Sequence, residues 1–103
     1  MVKIVIAKNK DIISSISVLG HAKFADYGKD IVCSGLSSVV ITTVNAILLF
    51  DKDYISYSEN KNDVSIKIKE HNEIVDNLIL NMINMLKDIE NDYPDHVEIR
   101  EEN

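Results

Sequence analysis

Hydrophobic and polar positions along the chain change period several times, and each change marks an element. Val2 to Ala7 is β-branched and partly alternating, which predicts a strand. Lys8-Asn9-Lys10-Asp11 follows as a turn, and Ile12 to Gly20, with Ile13, Ile16 and Val18 among small polar residues, predicts a second strand pairing back on the first. From Ile31 to Phe50 the period becomes helical: Val32, Leu36, Val39, Val40, Thr43, Ile47 and Phe50 share one side, while Ile31, Ile41, Val44 and Leu48 cover much of the rest. A helix apolar nearly all round is buried on more than one side, so part of it is expected to meet a second subunit. Asp51-Lys52-Asp53 ends it. Tyr54 to Ser58 and Val64 to Lys69 then alternate as a hairpin around the polar turn Glu59 to Asn62. Glu73 opens a second helix with a stripe of Ile74, Leu78, Met82, Met85 and Ile89, flanked by Val75, Ile79 and Leu86. Tyr93-Pro94 stops it, and Val97 to Arg100 makes a short closing strand.

The order β-β-α-β-β-α-β predicts an α/β protein of the α+β type: two layers, one mixed or antiparallel sheet with two helices on one face. At 103 residues this is one domain, 1–103, able to bury roughly 65% of its unfolded surface. With 46% hydrophobic and 27% charged residues it is a globular chain rather than a disordered one. A net charge of −6 argues against direct nucleic-acid binding. One cysteine precludes an internal disulfide and fits a reducing cytoplasm. Val2 to Ala7 is too short for a signal peptide, and Val39 to Phe50, interrupted by Thr42, Thr43 and Asn45, is not expected to span a membrane.

Candidate chemistry concentrates between the second strand and the first helix, where Gly20-His21-Ala22 leads through Gly28 to Asp30-Ile31-Val32-Cys33. His21 should leave a strand end and Cys33 should enter the first helical turn, so a thiol and an imidazole stand at the two mouths of one loop. A helix N-terminus lowers a thiol pKa, and Lys29 acts in the same direction. His21 can shuttle a proton near neutral pH. First-turn N–H groups, that of Cys33 included, suit an oxyanion. Asp30 is a good N-cap and could also orient His21. Small residues Ser34 and Gly35 would let a substrate backbone approach. Phe24 and Tyr27 either form a substrate pocket or pin the loop to the body. Taken alone, the same residues more often describe a packed core cysteine, a polar loop histidine and a helix cap. His71 and His96 have no ligand-like spacing to other candidates, so no metal is expected. The acidic residues Asp88, Glu90, Asp92, Asp95, Glu98, Glu101 and Glu102 read as a solvated face.

The ordered string Gly20-His21-Ala22, Gly28, Asp30-Ile31-Val32-Cys33 and Ser37, followed by a long apolar helix, resembles the bacterial ribosomal-processing cysteine protease family, Prp. The resemblance implies a Cys/His dyad, with Cys33 as nucleophile and His21 as general base and acid. Asp30, Ser37, Gly20 and Gly28 are supporting positions, and the Ala22 to Lys29 loop, with Ala22, Phe24 and Tyr27, closes over substrate. It further implies a cytoplasmic homodimeric thiol protease without cofactor. Its substrate would be the N-terminal extension of a large-subunit ribosomal protein precursor, the one numbered twenty-seven. The alternative is a non-catalytic ribosome-assembly or protein-binding module in which Cys33 and His21 only pack.

Overall fold

A computed structural model describes residues 1–20, 31–60 and 63–103. The elements run β1 (Val2–Asn9), β2 (Ile12–Leu19), α1 (Ile31–Phe50), β3 (Ile55–Glu59), β4 (Val64–Ile68), α2 (Glu73–Asp92) and β5 (Val97–Glu102). The sheet order is β3-β4-β2-β1-β5. β5 lies parallel to β1 and every other neighbour is antiparallel, so the sheet is mixed. This is the α+β architecture that the element order predicts.

Opposed residues in a ladder share a face. The rows Val2–Val97, Ile4–Val18–Val64 and Ile6–Ile16–Ile66 therefore point the same way, and all are buried. Val32, Leu36, Val40, Val44 and Ile47 of α1, and Val75, Ile79, Met82, Ile83 and Leu86 of α2, belong to the same core cluster. The opposite face carries Lys3, Ser15, Ser17, Ser65 and Lys67, all partly or fully exposed.

β1 extends further into the polar turn than alternation suggests, while β2 starts at Ile12 as expected. Lys8 and Asn9 pair with Ile13 and Ile12, leaving only Lys10 and Asp11 to reverse the chain. Both take positive φ, 54° and 67°, as a two-residue type I′ turn requires. The ladder slips between Ala7 and Lys8, leaving Ser14 as an extra residue, and its hydroxyl donates to the Ala7 carbonyl at 3.1 Å. That bulge lets Ile13 and Ile16, three positions apart, pack towards one core.

α2 begins one residue after its cap: Asn72 accepts from the Val75 N–H at 2.9 Å, and Glu73 and Asp76 favour the positive end. Its buried stripe is Val75, Ile79, Met82, Ile83 and Leu86, while Ile74 and Met85 stand on the exposed flanks. The expected stripe is thus rotated, because β5 and α1, not the helical period alone, select the face. β5 also continues two residues beyond Arg100, since Glu101 and Glu102 pair with Ile6 and Ala7.

α1 is long and apolar enough, by length and composition, to cross a bilayer, because its apolar run starts at Ile31 rather than Val39. Here one side of it closes the core; Thr43, buried within it, donates to the Val39 carbonyl at 2.9 Å. Ile41, Leu48 and Leu49 on the opposite side are exposed, Leu49 at 88%, and Phe50, expected on the core side, is 61% exposed because it is the last residue of the helix.

Replacing the hairpin pair by Lys10→Asn with Asp11→Gly supplies residues that accept positive φ. The double variant is expected to gain about 1 kcal/mol of stability in denaturant titration. An unchanged or lower midpoint would show that the native turn carries no backbone strain.

Candidate active site

Cys33 is the third residue of α1, within the first turn, where helix N–H groups align with the positive end of the dipole. Val32 and Leu36 on either side are in the core cluster and fix that turn against the sheet. Cys33 itself is only 6% exposed. Ser37, one turn further on, lies on the same side of the helix. Ser34 is exposed, but Gly35 faces α2: a Cβ there would meet Ile89 Cδ1 at 3.6 Å. That is an ordinary van der Waals distance, so the α1–α2 approach would accept a Cβ there.

Gly20 closes β2 with φ +79°, a left-handed conformation that side chains resist. Its N–H donates to Asp63 Oδ1 at 3.1 Å, and a Cβ on it would stand 3.4 Å from the Met1 carbonyl. Asp63 is itself held, its N–H donating to Asn60 Oδ1 and its carbonyl accepting from the Asn60 N–H, both at 2.9 Å. The residue before His21 is therefore tied to the β3–β4 turn. His21, Ala22, Phe24, Tyr27, Gly28 and Asp30 lie outside the described residues. Asp63 was not singled out from sequence, since its partner is remote in the chain; an aspartate following a turn gives no local sign of it.

Beside the second and third turns of α1 is a cavity of about 120 Å³. Val18 and Val64 form its floor on the sheet; Leu36, Ser37, Val40 and Ile41 form the α1 wall. Tyr57 and Glu59 of β3 stand at the remaining side, where the Tyr57 hydroxyl donates to Glu59 Oε2 at 3.0 Å. Burial, the hydrogen bond to Glu59 and its negative charge, in that order, push the Tyr57 pKa up to about 12.

The other histidines are exposed, with His71 Nδ1 3.1 Å from Asp76 Oδ1 at the start of α2. Among the described residues no group of three histidine, cysteine, aspartate or glutamate side chains could hold a metal. The acidic face is solvated at Asp88, Asp92, Asp95, Glu101 and Glu102; Glu90 and Glu98 are partly buried, and Glu90 accepts the Ile99 N–H at 2.7 Å.

A sequence model for the family described as cysteine protease Prp matches residues 1–98. The ribosomal processing cysteine protease Prp of Mycoplasma genitalium is 36% identical over 106 aligned positions, covering 99% of this chain and 97% of that protein. The protein of the same name from Staphylococcus aureus is 33% identical over 90 positions, covering 84% and 85%. In fold, the chain superposes with a TM-score of 0.89 on the crystal structure of the essential ribosomal processing protease Prp from S. aureus in complex with a covalently linked product peptide. That match covers 99% of this chain and all of the other at 24% identity.

Two measurements probe the local geometry. Asp63→Ala should cost about 1–2 kcal/mol in denaturant titration by stranding the Gly20 N–H, whereas Asp63→Asn, which keeps an acceptor, should recover most of it. Equal losses in both variants would mean that the contact contributes nothing specific. The raised Tyr57 pKa contributes stability that is complete below pH 10 and lost as pH rises through about 12. Phenolate absorbance should show one tyrosine titrating near 12; Tyr57→Phe should remove that step and Glu59→Gln should move it down.

Proposed function

The chain belongs to the Prp family of cysteine proteases and is a cysteine peptidase; from that premise we propose that Cys33 and His21 are its dyad and that it trims a ribosomal-protein precursor. The observation that carries this reading is the placement of the chain's one cysteine in the first turn of α1, one turn before Ser37, which borders the same cavity as Val18 of β2, three residues before His21 in the chain. Cys33 Sγ, deprotonated by His21, attacks the scissile carbonyl, and the electron pair moves onto the carbonyl oxygen. The first-turn N–H groups of α1 and the dipole behind them favour that developing negative charge. Collapse expels the amine, protonated by His21, and leaves a thioester on Cys33. Water, deprotonated by His21, attacks the thioester; its collapse releases the new carboxyl end and restores the thiol.

Support for the substrate comes from the relatives, whose name is ribosomal processing cysteine protease. The substrate in this reading is the N-terminal extension of the large-subunit ribosomal protein numbered twenty-seven, cut in the cytoplasm. Ser37, Gly20, Gly28 and Asp30 support the dyad, and Ala22, Phe24 and Tyr27 belong to the loop over the substrate. The homodimer belongs to the same reading: the exposed Leu48, Leu49 and Phe50 at the C-terminal end of α1 are the apolar surface it would use.

A peptide copying the host's extension and the residues after it tests the assignment, with products read by mass spectrometry. Wild type should make a single cut. Cys33→Ala and His21→Ala should each lower the rate by about 10⁴-fold or more, with the double variant little worse than either. Cleavage surviving in Cys33→Ala would assign the wrong nucleophile. No cleavage together with slow alkylation of Cys33 by iodoacetamide would favour the binding-module alternative.

A further inference from the structure

β3 ends its side of the sheet, and its register determines which backbone groups it leaves for another chain. Ile55 opposes Ile68 and Glu59 opposes Val64. The same register continues at both ends, where the Lys69 N–H donates to the Tyr54 carbonyl and the Asn60 N–H to the Asp63 carbonyl, each at 2.9 Å. Bonded pairs alternate along an antiparallel ladder. Tyr54, Ser56, Ser58 and Asn60 therefore turn their backbone towards β4, while Ile55, Tyr57 and Glu59 turn theirs outward. Among the described residues no strand pairs with that outer side. The side chains of Tyr57 and Glu59, meanwhile, border the cavity against α1.

We propose that a peptide substrate docks as an added strand along the outer edge of β3 and seats one apolar side chain in the cavity between β3 and α1. The inference deepens the peptidase reading and rests on it. An added strand takes its affinity from backbone hydrogen bonds and its selectivity from pockets under alternate side chains. The edge supplies the first through Tyr57, and the cavity supplies the second. Its 120 Å³ compares with the roughly 150 Å³ apolar cavity that holds benzene, so it accepts one aliphatic or phenyl-sized group. Cys33, Ser37 and Ile41 are spaced by four on α1, which puts the thiol about 5–6 Å along the axis from the cavity wall. An extended chain covers that in about two residues, so the seated side chain lies within about two positions of the scissile bond. Glu59, held by the Tyr57 hydroxyl, sets a carboxylate at the rim and disfavours an acidic side chain there. The substrate class is thus an extended segment, apolar at the seated position and without an aspartate or glutamate in that place.

The test uses the extension peptide as single N-methylated analogues at successive positions around the cut, each of which removes one backbone donor. Binding to Cys33→Ala protein is followed by fluorescence anisotropy, with cleavage of the unmodified peptide by wild type measured in parallel. Affinity should fall about tenfold at every second position and little between. Amide exchange at Tyr57 and Glu59 should slow on binding. Ile41→Trp, which closes the cavity from its half-exposed wall, should raise KM several-fold for the native peptide and less for one with alanine at the seated position. A flat N-methyl profile with normal cleavage would overturn the strand docking and leave the peptidase intact. A peptide neither bound nor cut would overturn both.

Discussion

The packing of α1 across the sheet is the constraint from which the site follows. Val32, Leu36, Val40, Val44 and Ile47 are spaced so that one side of the helix closes the core through its whole length. Once that side is fixed, the first turn has no rotational freedom, and Cys33 is held one turn from Ser37, which borders the same cavity as Val18 of β2. Rotating the helix to move the thiol would expose at least two of these aliphatic side chains, at roughly 1.5–3 kcal/mol each. A first turn belonging to a core helix is thus a rigid mount for a nucleophile.

The two ends of the sheet are treated differently. β5 is strongly charged through Glu98, Arg100, Glu101 and Glu102, with Arg100 2.9 Å from Glu98 and Lys8 3.2 Å from Glu101. Glu90 of α2 also reaches down to accept the Ile99 N–H, occupying a backbone donor that would otherwise invite another strand. β3 is short and carries serines between Ile55, Tyr57 and Glu59. Its one side-chain hydrogen bond among the described residues, Tyr57 to Glu59, lies along the strand rather than across its edge. The contrast leaves the sheet open to strand addition on the side nearer α1.

Much of this was legible in the residues. The β-branched runs, the apolar helix and the Tyr93-Pro94 stop gave the seven elements, because period and backbone restriction are local properties. The ordered Gly-His and Asp-x-x-Cys string pointed to the family for the same reason: it is a contiguous pattern. What was misjudged concerns partners from elsewhere in the chain. The α2 stripe turned because α1 and β5 claim particular side chains. Lys8 and Asn9 joined β1 because Ile13 and Ile12 were there to pair with them.

By itself, then, the sequence determined the elements, their order, the α+β class and the helix position of Cys33, all of which depend on residues within a few places of one another. The tertiary structure decided that β5 lies parallel to β1, that Asp63 holds Gly20 across 43 positions, and that Tyr57 and Glu59 border a cavity beside Ser37. Those contacts arise only when separate elements share one core. Which remote pairs then meet depends on strand order and register, which hydrophobic period leaves open.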